Sequence, residues 1–448
     1  MKNNDFISKT KEHFDRVSSD TLSDLKAGED LILNLDAEDS LYARLNGNRV
    51  RQNTNVEQTI FSMKLLSDGR TVDQAFQLSG EREHDMKTVS RALATLREHA
   101  KALPVDPHQV PAQNNGTSTN EFRGEIPGME EIVSSVVGSG GDLDLAGLYC
   151  GGPVINANRN SKGQSHWFAT ESFFLDYSIY DGPKAAKSVY AGSKWVQGEW
   201  EKNLALTGQQ LKLLGRDTQN IKPGKYRTYL APGAVNELAA MFGWGGLSGS
   251  AWKQGQSALK RLADGEAKLS PLFNMRENFK LGLTPRFNSS GEVAPELLPL
   301  IENGELKNML VSSRSAKEFG LPCNYAADHE APRSMEILAG ALEEKNIIGE
   351  LGTGLYLSNL HYLNWSDRAS ARITGMTRYA CFWVERGEIV GPIKDLRFDE
   401  SLLEALGPKL MGLTSNAVID PATQTYGLRS LGGSRIPGMM IDDFTFTL

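Results

Sequence analysis

The sequence has 448 residues, of which 40% are hydrophobic and 23% charged, and its formal net charge is −7. This composition is typical of a folded globular protein with apolar residues for two or three cores. The acidic balance disfavours nucleic acid as the main partner, because phosphate binding depends on clustered Lys and Arg, and no long basic run is present.

Targeting and redox signals are missing from the sequence. Residues 1–14 are polar where a secretory signal needs a continuous apolar stretch. No segment approaches the roughly 18 uninterrupted apolar residues that a membrane-spanning helix requires. The three cysteines, Cys150, Cys323 and Cys381, form neither a disulfide framework nor a CxxC zinc knuckle. We therefore expect a cytoplasmic protein without a membrane segment.

The first predicted unit, residues 1–103, is α+β. An amphipathic helix over about 3–26 precedes alternating strand patterns on both sides of Asn46-Gly47, a dipeptide that supplies the two positive φ angles of a tight hairpin turn. Apolar residues then recur at helical spacing between Met86 and Leu103. These patterns predict antiparallel hairpins covered by helices.

The rest of the chain divides by composition. Residues 104–128 contain four prolines among Asn, Gly, Ser and Thr, which predicts a linker or long surface loop. Residues 129–220 are predicted to complete the N-terminal α/β part, with a clear strand at 167–179. Residues 221–448 contain many strand patterns separated by turns and few helices, which predicts a β-rich, barrel-like or sandwich-like domain.

The second half resembles a known family. Its motifs are Gly352-Thr353-Gly354-Leu355-Tyr356-Leu357, then Ile373-Thr374-Gly375-Met376-Thr377-Arg378, Phe382-Trp383-Val384-Glu385 and the tail from Gly432-Gly433-Ser434-Arg435-Ile436-Pro437 to Phe444. In this order and spacing they resemble the C-terminal domain of TldD/PmbA metallopeptidases. The hairpin at Asn46-Gly47 is similar to the N-terminal pattern of that family.

The resemblance implies a division of labour between two subunits. In the family, a TldD-type subunit carries HExxxH on a helix and a later cysteine as zinc ligands, and it cleaves unfolded peptides. A TldE-type subunit lacks those ligands, and the two pair around a central cavity. A partner of this chain would accordingly be an HExxxH-bearing TldD-type homologue, and zinc is expected only in that partner.

The zinc ligands are missing from this chain where the resemblance would place them. The helix after Pro232 reads Asn236-Glu237-Leu238-Ala239-Ala240-Met241. An Asn amide is a poor Zn²⁺ ligand and a Met thioether a soft one, so neither replaces imidazole. Glu237 alone would have no metal-bound water to activate. No cysteine follows Cys381. We expect no catalytic residue, no metal and no other cofactor in this chain.

Other sites are weaker candidates. His329, in Asp328-His329-Glu330, and His361 could contribute to a metal site, but Pro332 prevents an HExxH-like helix there. There is no GxSxG elbow, and Cys381 lies on an apolar strand where a core role is the simpler interpretation. The glycine clusters lack the spacing of phosphate-binding loops.

Peptide binding is expected through an exposed strand of the C-terminal domain, because backbone pairing accepts many sequences. The candidate is Ile373–Arg378, that is Ile373, Thr374, Gly375, Met376, Thr377 and Arg378, and the alternative is an internal turn of a barrel.

Three hypotheses remain open from the sequence. The chain is a non-catalytic subunit of a TldD/TldE-type zinc peptidase, a homodimeric peptide-binding or scaffold protein of the same fold, or an autonomous metallopeptidase with unusual ligands. A neighbouring gene for an HExxxH homologue would favour the first, and metal analysis would identify the third.

Overall fold

The computed structural model describes residues 2–447, with side chains from Asp5 onward. The α-helices are Lys2–Ser23 (α1), Arg82–Ala102 (α2), Met129–Gly140 (α3), Gln197–Leu214 (α4), Pro232–Met241 (α5), Gly249–Lys253 (α6), Lys260–Ala263 (α7), Ser313–Phe319 (α8), Ile347–Leu351 (α9) and Leu402–Ala405 (α10). The strands before α5 are Glu29–Leu45 (β1), Val50–Ser67 (β2), Arg70–Gln77 (β3), Thr117–Phe122 (β4), Asp144–Asn160 (β5), Ser165–Asp181 (β6), Lys184–Gly192 (β7) and Gly224–Leu230 (β8). Those after it are Met275–Asn278 (β9), Leu297–Glu302 (β10), Glu305–Leu306 (β11), Ser334–Ile337 (β12), Gly354–Asp367 (β13), Arg372–Glu385 (β14), Glu388–Pro392 (β15), Arg397–Ser401 (β16), Leu410–Pro421 (β17) and Gly433–Phe446 (β18). The predicted α+β class is confirmed.

The N-terminal sheet carries helices on one face. Its strand order is β3-β2-β1-β5-β6-β4, and β7 pairs with β6. Apolar residues alternate along β1, so Leu33 and Leu35 point to the same side and are fully buried there. Phe14 of α1 packs on Phe61 of β2 with ring centroids 6.2 Å apart. The helices α1 and α2 thus cover this face, as the sequence predicts.

The opposite face of that sheet contacts the second half of the chain. Arg429, 4% exposed, donates to the carbonyls of Gly152 and Ser172, each at 2.7 Å. Gln58 of β2 donates to the carbonyl of Gly427 at 2.6 Å. These hydrogen bonds join strands far apart in sequence to the loop that follows β17.

The C-terminal sheet closes on itself. Its strand order runs β11-β10-β9-β12-β18-β16-β14-β13-β8, and β8 also pairs with β18. The strands β18, β16, β14, β13 and β8 therefore form a ring, which removes free edges from that part of the sheet. Apolar side chains of α5 pack on this sheet and share its core, as described below. The predicted β-rich second half is confirmed.

Two local predictions differ from the structure. The segment 104–128 is not a linker throughout, because β4 lies within it and pairs parallel with Ser165–Thr170 of β6. A short edge strand like β4 needs only backbone partners, so its sequence carries little signal. In the hairpin turn after β1, the positive φ angles belong to Gly47 (59°) and Asn48 (51°), not to Asn46 and Gly47. Asn48 is held there by side-chain hydrogen bonds to Val137 O and Gly141 O.

Candidate functional site

The candidate site lies on α5, the helix that carries the degenerate zinc-motif positions. Pro232 stands in its first turn, where a missing backbone N–H leaves no helical hydrogen bond unmade. The side chains of Ala234, Val235, Leu238 and Ala239 are fully buried. They pack mainly on β13 and β18, so the sheet fixes how the remaining polar side chains of α5 are presented.

The three motif positions do not converge on one point. Asn236 is half-buried, and its Oδ1 accepts a hydrogen bond from Ser434 Oγ of β18 at 2.7 Å. Glu237 is exposed. Met241 is 3% exposed and belongs to the C-terminal core. Positions 236 and 241 are about 140° apart around a regular helix, which agrees with their different surroundings.

Charged residues from both sheets come together beside α5 in a group that we call the α5 charge cluster and define by Asp176, Lys187, Glu237 and Asp420. Lys187 of β7 donates to Asp176 of β6. Asp420 of β17 interacts with both these charges and with Glu237, and it accepts a hydrogen bond from Asn236. Three carboxylates therefore share one lysine at the junction of the two sheets.

Burial changes the protonation of two of these carboxyl groups. Desolvation, with the negative charges of Asp176 and Glu237, raises the pKa of Asp420 to about 6, against the opposing effects of Lys187 and Asn236. The pKa of Glu237 is also raised by desolvation, although its side chain has water-accessible surface. Both shifts arise because a charged carboxylate loses hydration when it is buried, which favours its protonated form.

Comparison with known proteins establishes the family. The sequence profile described as the PmbA/TldA metallopeptidase C-terminal domain matches residues 223–448. This chain belongs to the PmbA/TldD metallopeptidase family. No curated protein matches the sequence.

Solved structures of low sequence identity share the fold of this PmbA/TldD family chain over nearly its whole length. TldE from Thermococcus kodakarensis is 14% identical, with a TM-score of 0.76 over 97% of this chain and 100% of that one. A candidate modulator of DNA gyrase from Thermotoga maritima is 16% identical, with a TM-score of 0.75 over 98% of this chain and 100% of that one. Another candidate modulator of DNA gyrase, from Bacteroides thetaiotaomicron, is 14% identical, with a TM-score of 0.75 over 98% of each chain. At these identities the likeness concerns the fold alone.

Zinc, the metal that the family name implies, does not fit the side chains of α5. A catalytic zinc needs three His, Cys or carboxylate ligands and an open position. Here the Asn236 side chain accepts a hydrogen bond from Ser434, and the Met241 side chain is packed in the core. Of the three motif positions, only Glu237 offers a carboxylate. Within the part of the chain that the structure describes, no three His, Cys, Asp or Glu side chains are grouped to hold a metal ion.

The alternative histidine site is not assembled either. Glu330 turns inward, 1% exposed, and accepts hydrogen bonds from Ser248 Oγ at 2.7 Å and from Ser312 N at 2.9 Å. His329 is exposed, whereas His361 lies on β13 with its ring 4.1 Å from that of Tyr362. The Asp328-His329-Glu330 cluster therefore works as a loop anchor through Glu330.

The two buried cysteines, Cys150 and Cys381, have no nucleophilic surroundings. Cys381 is 2% exposed, which confirms the predicted core role, and burial raises its pKa to about 11. Burial likewise raises the pKa of Cys150 to about 12. Thiols with raised pKa values are poor nucleophiles near neutral pH.

The predicted peptide-binding strand, Ile373–Arg378, is wrong. It lies inside β14, whose residues Arg372–Met376 pair with β16 on one side while the same segment pairs with β13 on the other. Both edges are thus occupied, and no further strand can add there. The space beside Gly375 is occupied by the Phe398 side chain, because a Cβ at position 375 would lie 2.6 Å from the Phe398 ring.

The residues that sequence reasoning missed are those that join Glu237 in the α5 charge cluster: Asp176, Lys187 and Asp420. Each is a single polar residue in a strand with no motif around it. Only the packing of β6, β7 and β17 around α5 brings them together, so no local signal could have found them.

No helix within residues 2–447 combines the length and apolar character needed to cross a membrane.

Proposed function

We propose that this chain is a non-catalytic, TldE-like subunit that pairs with an HExxxH-bearing TldD-type homologue in the cytoplasm. Together they form a zinc peptidase that acts on unfolded peptides, with the zinc held by the partner alone. The observation that carries the proposal concerns two side chains of α5. Asn236 is hydrogen-bonded to Ser434 and Met241 is buried in the core, so both contribute to packing and hydrogen bonding instead of metal binding.

The α5 charge cluster supports a role in shaping a substrate chamber. In this proposal its polar and charged groups, which come from both sheets, line that chamber and contact a hydrated backbone without a specific side-chain pocket. Such a lining suits a subunit that accepts many sequences.

Peptide contact, in this proposal, uses the outer edge of β17 instead of Ile373–Arg378. Ala417–Pro421 pair with β18 on one side, and no strand within the described residues pairs with the other. Asp420 places this edge beside the other members of the α5 charge cluster, and the neighbouring Ile419 is 51% exposed. A photo-cross-linking amino acid at Ile419 should capture a denatured peptide in the assembled pair. The matched control is the same amino acid at Met376, which is 38% exposed. Capture at 376 only would refute this placement.

Co-expression with the HExxxH homologue tests the pairing itself. The expected result is a stable heterodimer that contains about one zinc, bound by the partner, and the isolated chain should retain none after dialysis. A homodimeric peptide-binding or scaffold protein would not bind the homologue. An autonomous metallopeptidase would hold stoichiometric zinc alone and lose it on Glu237→Gln, and either outcome would refute the proposal.

A further inference from the structure

The chain contains three Asn-Gly pairs, which are Asn46-Gly47, Asn115-Gly116 and Asn303-Gly304. In such a pair the backbone nitrogen of the glycine can attack the side-chain amide of the asparagine, because glycine has no Cβ to obstruct the approach. The attack needs a backbone N–H that is open to water and an asparagine side chain that is free to turn. The fold therefore decides which of the three pairs can react.

The pair Asn46-Gly47 leaves both groups free. It opens the hairpin turn between β1 and β2, where Arg49 N donates to Asn46 O at 3.3 Å and Asn46 N donates to Arg49 O at 2.9 Å. Gly47 is the first of the two central residues of this turn, a position whose N–H takes no part in these hydrogen bonds. Both Asn46 and Gly47 are exposed, and no described residue forms a hydrogen bond with Gly47 N or with the Asn46 side chain. A Cβ at Gly47 would meet nothing within 4 Å, so neighbouring atoms leave room for the attack.

The pair Asn115-Gly116 is held by hydrogen bonds. Gly116 N donates to Asn114 Oδ1 at 2.9 Å, and the Asn115 side-chain amide donates to Gln164 Oε1 at 2.7 Å. Both groups that the attack needs are thus engaged, although Gly116 itself is exposed.

The pair Asn303-Gly304 is protected by burial of its glycine. Gly304 N donates to Phe273 O at 3.1 Å, and Gly304 O accepts a hydrogen bond from Leu269 N at 2.9 Å. A Cβ at Gly304 would lie 2.2 Å from Leu269 O, so the backbone around this glycine is tightly enclosed. Its nitrogen is therefore shielded from water, although the Asn303 side chain is exposed.

We propose that Asn46 is a deamidation site, at which the folded chain acquires aspartate and isoaspartate in the hairpin turn. The Gly47 nitrogen gives up its proton and bonds to Cγ of Asn46, while the bond from Cγ to Nδ2 breaks and Nδ2 leaves with that proton as ammonia. Water then opens the succinimide ring at either carbonyl, which gives aspartate or isoaspartate, and water is the only co-reactant. The inference goes beyond the proposed function, because it needs neither zinc nor a peptidase partner.

Isoaspartate disturbs this turn, because it adds one carbon to the main chain between residues 46 and 47. The residue that follows is anchored on both sides. Asn48 N donates to Leu145 O of β5 at 2.9 Å, and the Asn48 side chain donates to Val137 O of α3 at 2.9 Å and to Gly141 O at 2.8 Å. The added carbon must therefore strain these hydrogen bonds or the pairing that closes the hairpin.

Incubation of the purified chain at mildly alkaline pH, followed by peptide mass spectrometry, compares the three pairs in one sample. We expect Asn46 to be converted at least about tenfold faster than Asn115 or Asn303, a difference of about 1.4 kcal/mol in barrier. In concentrated urea the fold no longer protects any pair, so the three rates should become similar. Conversion of Asn46 no faster than that of the other two in the folded chain, or the same preference in urea, would overturn the inference.

The variant Asn46→Gln connects the modification to the turn. Its longer side chain would have to close a larger ring, so it should not react, and its thermal transition should equal that of the wild type because the Asn46 side chain is exposed and unbonded. After equal incubation, an isoaspartate-specific carboxyl methyltransferase should label the wild type alone. Amide hydrogen exchange at Asn48 and Arg49 should also be faster in the incubated wild type than in the incubated variant. Equal labelling of the two proteins would place the reaction elsewhere, and equal exchange would show that the turn tolerates the added carbon.

Discussion

At the residue scale, the candidate site differs from a zinc site through what its side chains already contact. Asn236 is engaged by Ser434 and Asp420, and Met241 fills space in the core. The α5 helix keeps its place in the fold while its side chains serve packing and hydrogen bonding. Restoring single ligands should therefore disturb these contacts before it creates a metal centre.

The double change Asn236→His with Met241→His tests this view. It rebuilds HExxxH in sequence, but Met241 is buried, and an imidazole there must be desolvated. We expect a loss of about 2–4 kcal/mol in the free energy of unfolding and zinc affinity no better than micromolar, since a third ligand is absent. Urea titration and competition with a zinc chelator measure the two quantities. A stable variant with tightly bound zinc would contradict the packing argument.

Asp420 gives a pH-dependent prediction. Its pKa rises from 3.8 to about 6 on folding, so the folded protein bears a cost of holding the charged carboxylate above pH 6. That cost declines as the pH falls from about 6 to 3.8, because the folded form takes up the proton first. Asp420→Asn should therefore raise the free energy of unfolding by about 1–2 kcal/mol at pH 8 and by little at pH 4. Urea unfolding at both pH values measures this, and an equal effect at both would exclude the titration of Asp420 as its cause.

At the element scale, β14 shows that a strand whose sequence resembles a peptide-binding segment can be an internal strand of the sheet. Thr374 and Gly375 suggested room for a second backbone, but the space belongs to Phe398 of β16 and to Leu363. The pairing of β14 with two strands decides its role, and that pairing is a property of the sheet.

Adding a methyl group at Gly375 should therefore destabilise the fold. Its Cβ would meet the Phe398 ring at 2.6 and 2.9 Å, so Gly375→Ala should lower the free energy of unfolding by about 1–3 kcal/mol. Gly349 on α9 is the matched control, because a Cβ there meets nothing within 4 Å. Gly349→Ala should be neutral or stabilising by about 0.5–1 kcal/mol. Equal melting temperatures for the two variants would contradict the packing seen around β14.

Local sequence patterns predict where a helix or strand lies better than they predict which strands pair with it. The periodicity of Leu31, Leu33 and Leu35 predicts a half-buried strand, and the spacing from Met86 onward predicts α2, because burial on one face imposes both patterns. The short β4 and the two neighbours of β14 leave no such pattern, since backbone pairing is nearly independent of side chains. The missing ligands on α5 can be recognised from the sequence because they are defined by residue type at fixed positions. The α5 charge cluster cannot, because its members are far apart in sequence and only tertiary structure brings them together.

At the scale of the whole molecule, Arg429 ties the two sheets together. It comes from the loop after β17 and is buried against β5 and β6, where it donates to Gly152 O and Ser172 O. Desolvation lowers its pKa, while the nearby Glu38 and the Cys150 thiol favour its charge. A buried cation of this kind is stabilised by a full set of partners, and its removal leaves them unpaired.

Arg429→Met should weaken the junction. The two carbonyls lose their donor and Glu38 loses its cation, so we expect a loss of about 3 kcal/mol in the free energy of unfolding. Arg314, which pairs with Asp106 at the surface, is the control: Arg314→Met should change it by less than about 1 kcal/mol. Urea unfolding followed by tryptophan fluorescence measures both. A loss at Arg429 no larger than that at Arg314 would show that the junction rests on other contacts.

The most direct test of the account is turnover of a denatured peptide by three samples: the HExxxH partner alone, the partner with this chain, and the partner with this chain carrying Glu237→Gln. We predict little turnover by the partner alone, full turnover by the pair, and nearly unchanged turnover by the Glu237→Gln pair, because Glu237 has no metal-bound water to activate. A loss of about a hundredfold or more with Glu237→Gln, equal to about 2.7 kcal/mol of barrier, would make Glu237 catalytic and contradict the account.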